Sequence, residues 1–228
     1  MDNVITRKGR PEDARDFSQL VLSTASTLLP YFFGPDVGNV VQRLFEHTRN
    51  WFSFEHSYFV EVNGEIAGMA LISDYTEKKR EDLRTCLLAL KYLKWGILRR
   101  LAYSLKSQHV IRKVIELTYL LRSEHIMVRT TEGECYLRNI ALRCNFRGLG
   151  FATRLLGVVE EESRKAGSKR IVLDVGTDNK AAIKLYKRFG YSIEQKLPSL
   201  RIKDKNLEVF RMSKDIRGIR QSAGENRT

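Results

Sequence analysis

The stretch from Glu134 to Glu160 constrains this chain more than any other. A run of strand formers ends at Leu142, Arg147-Gly148-Leu149-Gly150-Phe151-Ala152 turns the backbone, and a helix follows through Leu155, Leu156, Val159 and Glu160. Glycines at 148 and 150 let a ligand approach the backbone with no side chain between. Successive N–H groups at the positive end of a helix bind a pyrophosphate. Arg147 and Thr153 add guanidinium and hydroxyl donors.

By itself the turn has several readings. One is a plain tight connection. Another is a dinucleotide site, with Asp174 ending the following strand as a ribose-binding acid would. Against that, Thr153 stands where the third glycine belongs, and Arg143 to Phe146 separate the strand from the turn. A Walker-type loop is excluded, because no glycine-lysine-serine/threonine follows.

Elsewhere the pattern is also mixed. Val4 to Arg7 reads as an edge strand, and Pro11-Glu12-Asp13 begins a helix with carboxylates in its first turn. Pro30 is expected to end that helical region, and a second helix starts at Asp36, with Val40, Val41, Leu44 and Phe45 on one face. His56 to Val62 and Glu65 to Ile72 are strands joined by Asn63-Gly64, which supplies the positive backbone angles of a tight hairpin. Glu77 to Glu124 reads as helices. Arg170 to Val175 is a buried strand, Asn179 to Phe189 a helix, and Tyr191 to Glu194 with Leu207 to Met212 a closing strand pair. Ser213 to Thr228 is polar and reads as a loose tail.

With 228 residues, 43% of them hydrophobic, the chain suits one domain with an elaboration. Residues 1–213 form that domain, with a basic helical insertion at about 77–127 and a tail over 214–228. Three scattered cysteines make no disulfide framework, so a reducing compartment is expected. The start lacks a secretion signal and no apolar run approaches the ~18 residues of a membrane span, so the chain reads as cytoplasmic. Four widely spaced histidines form no ligand cluster, and no metal is expected.

The formal charge of +13 is concentrated: Lys78 to Lys113 holds eleven basic residues against two acidic ones. That segment reads first as a solvated helical cover whose cations snorkel around an apolar stripe. Leucines, Trp95 and tyrosines among the cations also suit nucleic acid or an anionic membrane surface. A third expectation places it as a wall of an acceptor pocket.

Several elements in order resemble the GCN5-related N-acetyltransferase (GNAT) superfamily. Arg147, Gly150 and Ala152 meet its Arg/Gln-x-x-Gly-x-Gly/Ala motif. Leu137 to Leu142 is similar to its asparagine-isoleucine-alanine-valine strand, and Asn179, Ala182, Leu185, Tyr186, Gly190 and Tyr191 match its downstream pattern. The resemblance runs from about Tyr136 to Ile193 and does not reach the basic segment. It implies an α/β fold, a mixed, mostly antiparallel twisted sheet flanked by helices, with a helical insertion.

The resemblance also implies acetyl-CoA as co-substrate and an amine as acceptor. Ile140, Ala141 and Leu142 would offer backbone groups to the pantetheine arm. Arg147, Gly148, Leu149, Gly150, Phe151, Ala152 and Thr153 would hold the pyrophosphate. Asn179 and Ala182 would lie near the pantetheine, and Tyr186 would point at the sulfur.

The chemistry requires a neutral amine, a stabilised oxyanion and a proton for the departing thiolate. A phenol of ordinary pKa ~10 keeps its proton at neutral pH and can give it to a thiolate of ordinary pKa ~8.5. Tyr186 suits that acid role; its plainer reading is a core aromatic beside Ile183, Leu185 and Phe189. In the family the base is often a glutamate, but Tyr136 stands at the aligned position. Glu134, two residues earlier on the same strand face, is either that base, directly or through water, or a solvated strand-end carboxylate. An α-amine of pKa ~7.7–8.0 needs little help, whereas a lysine at ~10.4 costs about 4 to 5 kcal/mol to deprotonate. A weak base therefore favours small-molecule amines or peptide α-amines. The rival reading is a non-catalytic acyl-CoA-binding regulator that holds nucleic acid or membrane through the basic segment. A third keeps the fold with a longer acyl or an aminoacyl donor. Oligomeric state, a dimer included, stays open.

Overall fold

The computed structural model describes residues 3–26, 28–75, 81, 84–85, 87–88, 91–92, 130–202 and 205–217. Seven strands form one sheet in the order β1-β2-β3-β4-β5-β9-β6, and β7-β8 is a separate hairpin. The strands are β1 (Val4–Lys8), β2 (Ser57–Val62), β3 (Glu65–Asp74), β4 (Glu134–Leu142), β5 (Arg170–Gly176), β6 (Ser192–Lys196), β7 (Leu200–Ile202), β8 (Lys205–Leu207) and β9 (Val209–Asp215). The helices are α1 (Ala14–Thr24), α2 (Leu28–Phe33), α3 (Val37–Glu46), α4 (Phe151–Lys165) and α5 (Lys180–Arg188). Every pairing in the large sheet is antiparallel except β4 with β5, which α4 joins as a crossover. The expected mixed, mostly antiparallel sheet flanked by helices is therefore the fold.

The β2-β3 hairpin turns on Asn63 and Gly64, at φ 52° and 84°. Asp13 ties the edge strand β1 to the start of α1. Its carboxylate accepts two hydrogen bonds from Arg7, at 2.7 and 2.8 Å, and one from the Arg10 N–H at 2.8 Å.

Each face of the sheet carries its own core. On one, Leu155, Leu156 and Val159 of α4 are fully buried against Leu137, Ile171, Leu173 and Met212, joined by Ile183 and Tyr186 of α5. On the other, Phe17 of α1 stacks on Phe45 of α3 at 4.2 Å between centroids, above Phe59, Met69 and Leu71. Removing one such Leu or Phe side chain from water contributes roughly 1.5–3 kcal/mol.

A bulge lets β4 serve both cores. Leu71 opposes Asn139 and Ile72 opposes Leu137, so the register skips Arg138, whose Nε donates to Ser73 Oγ of β3 at 2.9 Å. The extra residue inverts the alternation. Before it Cys135 and Leu137 face α4, and after it Ile140 and Leu142 do, while Ala141 joins the α1-α3 core.

Boundaries differ from the sequence reading at two places. α1 stops at Thr24, and Pro30 sits in the first turn of α2, where a missing N–H costs no helical bond. Ser213 to Asp215 belong to β9 and Ile216 is buried, its N–H donating to Lys169 O at 2.9 Å, so the segment expected as a tail starts inside the sheet; residues 218–228 lie outside the described residues. Most of the 77–127 insertion lies outside the described residues. Those described there, at 81, 84–85, 87–88 and 91–92, are helical. Among the described residues no helix is long and apolar enough to cross a membrane.

Candidate functional site

Parallel pairing of β4 with β5 runs only from Glu134↔Arg170 to Leu137↔Leu173. Beyond that pair β5 continues against β9 as far as Gly176, and β4 continues against β3 as far as Leu142. The two strands therefore part, and among the described residues no strand pairs with that edge of β4 beyond Leu137. The Arg143 N–H donates to Ala67 of β3 at 2.9 Å. By alternation the N–H and C=O of Leu142 and Ile140 point the other way, into the gap. Consistent with this, Arg147 Nε donates to Leu142 O at 3.3 Å. Ile140 and Leu142 are half-buried and Ala141 is buried.

The turn closes the open end of this gap. Gly148 and Gly150 take φ 80° and 85°, and a Cβ built on either would meet no atom within 4 Å. In α4 the first backbone bond is Arg154 N to Gly150 O, at 3.1 Å. Among the described residues the N–H groups of Gly148 to Thr153 have no backbone acceptor, and no side chain caps the helix. Arg147, Leu149 and Thr153 are exposed, and Phe151 and Ala152 half-buried. This cradle of free donors, with space that a side chain would fill, fits a polyphosphate.

Tyr186 lies on the α4 side, in the core cluster that holds Leu137 and Leu173. Its ring packs on Tyr191 at 5.7 Å, and burial pushes its phenol above the ordinary range. Among the described residues its hydroxyl has no hydrogen-bond partner. Asn179 caps α5, its Oδ1 accepting from the Ala182 N–H at 3.1 Å.

Glu134 stands at the closed end of the β4-β5 pairing. It accepts from the Thr131 N–H at 2.8 Å and from Arg170 at 3.2 Å and is 9% exposed, so it is held rather than solvated. The side chains at the fork itself are Tyr136 and Asp174. Tyr136 donates to Asp174 Oδ2 at 3.2 Å, and Arg211 of β9 grips both Asp174 oxygens at 2.9 Å. Arg138 lies over the rings of Trp51 and Tyr136, at 5.0 and 5.7 Å. Sequence reasoning weighed Asp174 only as a ribose acid and passed over Arg211. The available signal was the placement of Tyr136 and Asp174 on adjacent strands facing one way.

A separate cavity of about 490 Å³ is lined by His56, Asp74, Glu81, Cys135 and Glu162, among others. It sits by the C-terminal end of α4, a helix length from the turn. Among the described residues no three His, Cys, Asp or Glu side chains gather as a metal site would need.

A sheet forked between two parallel strands, with a free-donor turn at its mouth, has the form that fits an extended ligand ending in phosphate. The acetyltransferase (GNAT) family model matches residues 118–191. A crystal structure of an N-acetyltransferase from Staphylococcus aureus Mu50 shares 20% identity at a TM-score of 0.60, over 92% of this chain and 99% of that one. A putative acetyltransferase from Salmonella typhimurium, solved with its cofactor acetyl-CoA, shares 13% at a TM-score of 0.57, over 93% and 94%. A mycothiol acetyltransferase from Mycolicibacterium gilvum (strain PYR-GCK) is 42% identical over 64 residues, which are 27% of this chain. That match spans only 21% of the relative's own length. Residues 118–191 are thus similar to the acetyltransferase (GNAT) family, and the solved structures share its fold.

Proposed function

We propose that this protein transfers an acetyl group from acetyl-CoA to a primary amine, on a small molecule or as a peptide α-amine, by direct attack within a ternary complex. The observation that carries this reading is the fork beyond Leu137↔Leu173. There β4 and β5 part, and the backbone groups of Ile140 and Leu142 face the gap rather than β3. The pantetheine would lie there as an added strand, with the pyrophosphate on the N–H groups of Gly148 to Thr153.

The chain's own residues then have definite tasks. The turn fixes the phosphates, β4 fixes the arm, and the thioester comes to the fork. Tyr186 on the α4 side gives its proton to the departing thiolate, and its elevated pKa keeps that proton in place at neutral pH. Glu134, committed to Arg170 and Thr131, takes no proton in this reading. Deprotonation of the amine is left largely to solvent, which suits acceptors of low pKa.

Thiol release from acetyl-CoA is the test, with a dipeptide bearing a free α-amine, Nα-acetyl-lysine, spermidine and glucosamine as acceptors. Turnover with at least one, and with the dipeptide or glucosamine over Nα-acetyl-lysine, is expected. Tight coenzyme A binding without turnover on any of them would overturn catalysis and favour a non-catalytic acyl-CoA-binding regulator.

A further inference from the structure

Tyr136 and Asp174 meet at the apex of the fork. Leu137↔Leu173 is the last β4-β5 pair, Tyr136 lies just before it and Asp174 just after. Both side chains face away from α4, on the side of the sheet opposite Tyr186. A thioester seated at the apex would have its leaving-group acid on one side, so the amine must enter from the side carrying Tyr136 and Asp174.

The hydrogen bonding there is directional. Arg211 holds Asp174 through two parallel bonds, an arrangement that fixes the plane of the carboxylate. Asp174 Oδ2 then accepts the hydrogen bond that the Tyr136 hydroxyl donates, at 3.2 Å. Burial first, and the Asp174 charge next, hold the phenol well above its ordinary range, so that proton stays on Tyr136. A phenol has one proton and two lone pairs. With its proton assigned to Asp174, the Tyr136 oxygen can only accept.

We propose that Tyr136 Oη is the acceptor-side seat of this enzyme: it takes a hydrogen bond from an N–H of the incoming primary amine, and Asp174 and Arg211 act through it as positioning residues. The inference rests on the acetyltransfer reading and deepens it. No proton moves to Tyr136; the amine arrives already neutral, and one of its N–H bonds points at the phenol oxygen, which turns its lone pair toward the thioester carbonyl. The side chains of Asp174 and Arg211 are nearly buried, 11% and 12% exposed.

The test is Tyr136→Phe, which removes one oxygen and keeps the ring, measured with whichever amine of the panel the parent protein acetylates. The expected result is an amine KM raised about tenfold, the loss of roughly one hydrogen bond. The KM for acetyl-CoA and kcat should stay within about twofold, and the pH profile should keep its shape, since nothing at 136 titrates. Asp174→Asn should reproduce the amine KM effect, and the double variant should be no worse than either single one. An unchanged amine KM in Tyr136→Phe, in protein that folds and turns over, overturns the inference. A pH profile that changes shape does so too, by making Tyr136 the base. No turnover by the parent protein would instead be the failure of the acetyltransfer reading.

Discussion

Gly68 of β3 and Leu142 of β4 face each other so closely that no side chain fits between them. A Cβ built on Gly68 would lie 2.5 Å from the Ala141 carbonyl oxygen and would overlap Leu142 Cδ2. Leu142 is the last residue of β4 and its carbonyl points into the fork, so displacing it moves the wall on which the pantetheine is proposed to lie. Gly68→Ala should therefore lower both stability, by about 1–3 kcal/mol as overpacking does, and coenzyme A affinity. Thermal unfolding and calorimetric titration with coenzyme A check this. Unchanged affinity would detach Leu142 from the ligand.

Tyr186 gives a cleaner separation, because its hydroxyl holds nothing among the described residues. Tyr186→Phe keeps the contact with Tyr191 and leaves the fold intact. It should lower kcat by about 10²-fold, the lower end of what a positioned acid contributes. Coenzyme A binding should be unaffected. If kcat stays within a few-fold of the parent's, Tyr186 is only a core aromatic.

Much of this was legible because it is local. Asn63-Gly64 specifies its hairpin from two residues, and the strand from Glu134 to Leu142 has the limits its composition implies. The turn at 147 to 152 carries its glycines where φ must be positive. What stayed hidden depends on pairing. The bulge at Arg138 exists only relative to β3, and it decides which of Ile140, Ala141 and Leu142 faces which core. Glu134 read as either a base or a solvated strand-end carboxylate because its partner, Arg170, lies 36 residues onward. Tyr136 looked like a missing glutamate until β5 placed Asp174 beside it and β9 supplied Arg211.

At the turn, Gly150→Ala tests ligand approach apart from folding. The position has φ 85°, which costs an L-residue roughly 1–2 kcal/mol. The new methyl meets no protein atom within 4 Å, so nothing else opposes the fold. Coenzyme A affinity should nevertheless fall at least tenfold, an order-of-magnitude expectation from blocking N–H groups that must reach phosphate. Dephospho-coenzyme A and pantetheine serve as controls. The loss should persist for the first, which retains the pyrophosphate, and vanish for the second.

Alkaline pH should destabilise this protein in a way its interior dictates. Burial raises the phenols of Tyr136, Tyr186 and Tyr191 above their ordinary range and pushes the Cys135 thiol up to about 11. In the unfolded chain these groups release protons near the usual ~10 for tyrosine and ~8.5 for cysteine. Above those values the native state keeps protons that the unfolded state has lost. The slope of unfolding free energy with pH is then negative. Their stabilising contribution is complete below the ordinary values and disappears as pH rises toward the folded ones. Tm should be level to about pH 8.5, begin to fall where Cys135 acts alone, and fall more steeply above about pH 10 as the tyrosines join. Near-ultraviolet phenolate absorbance should show these three tyrosines ionising with unfolding and not ahead of it. Cys135→Ala should flatten the first part of the fall while leaving the second. A Tm that declines equally steeply across the first part in that variant would remove the thiol from the account.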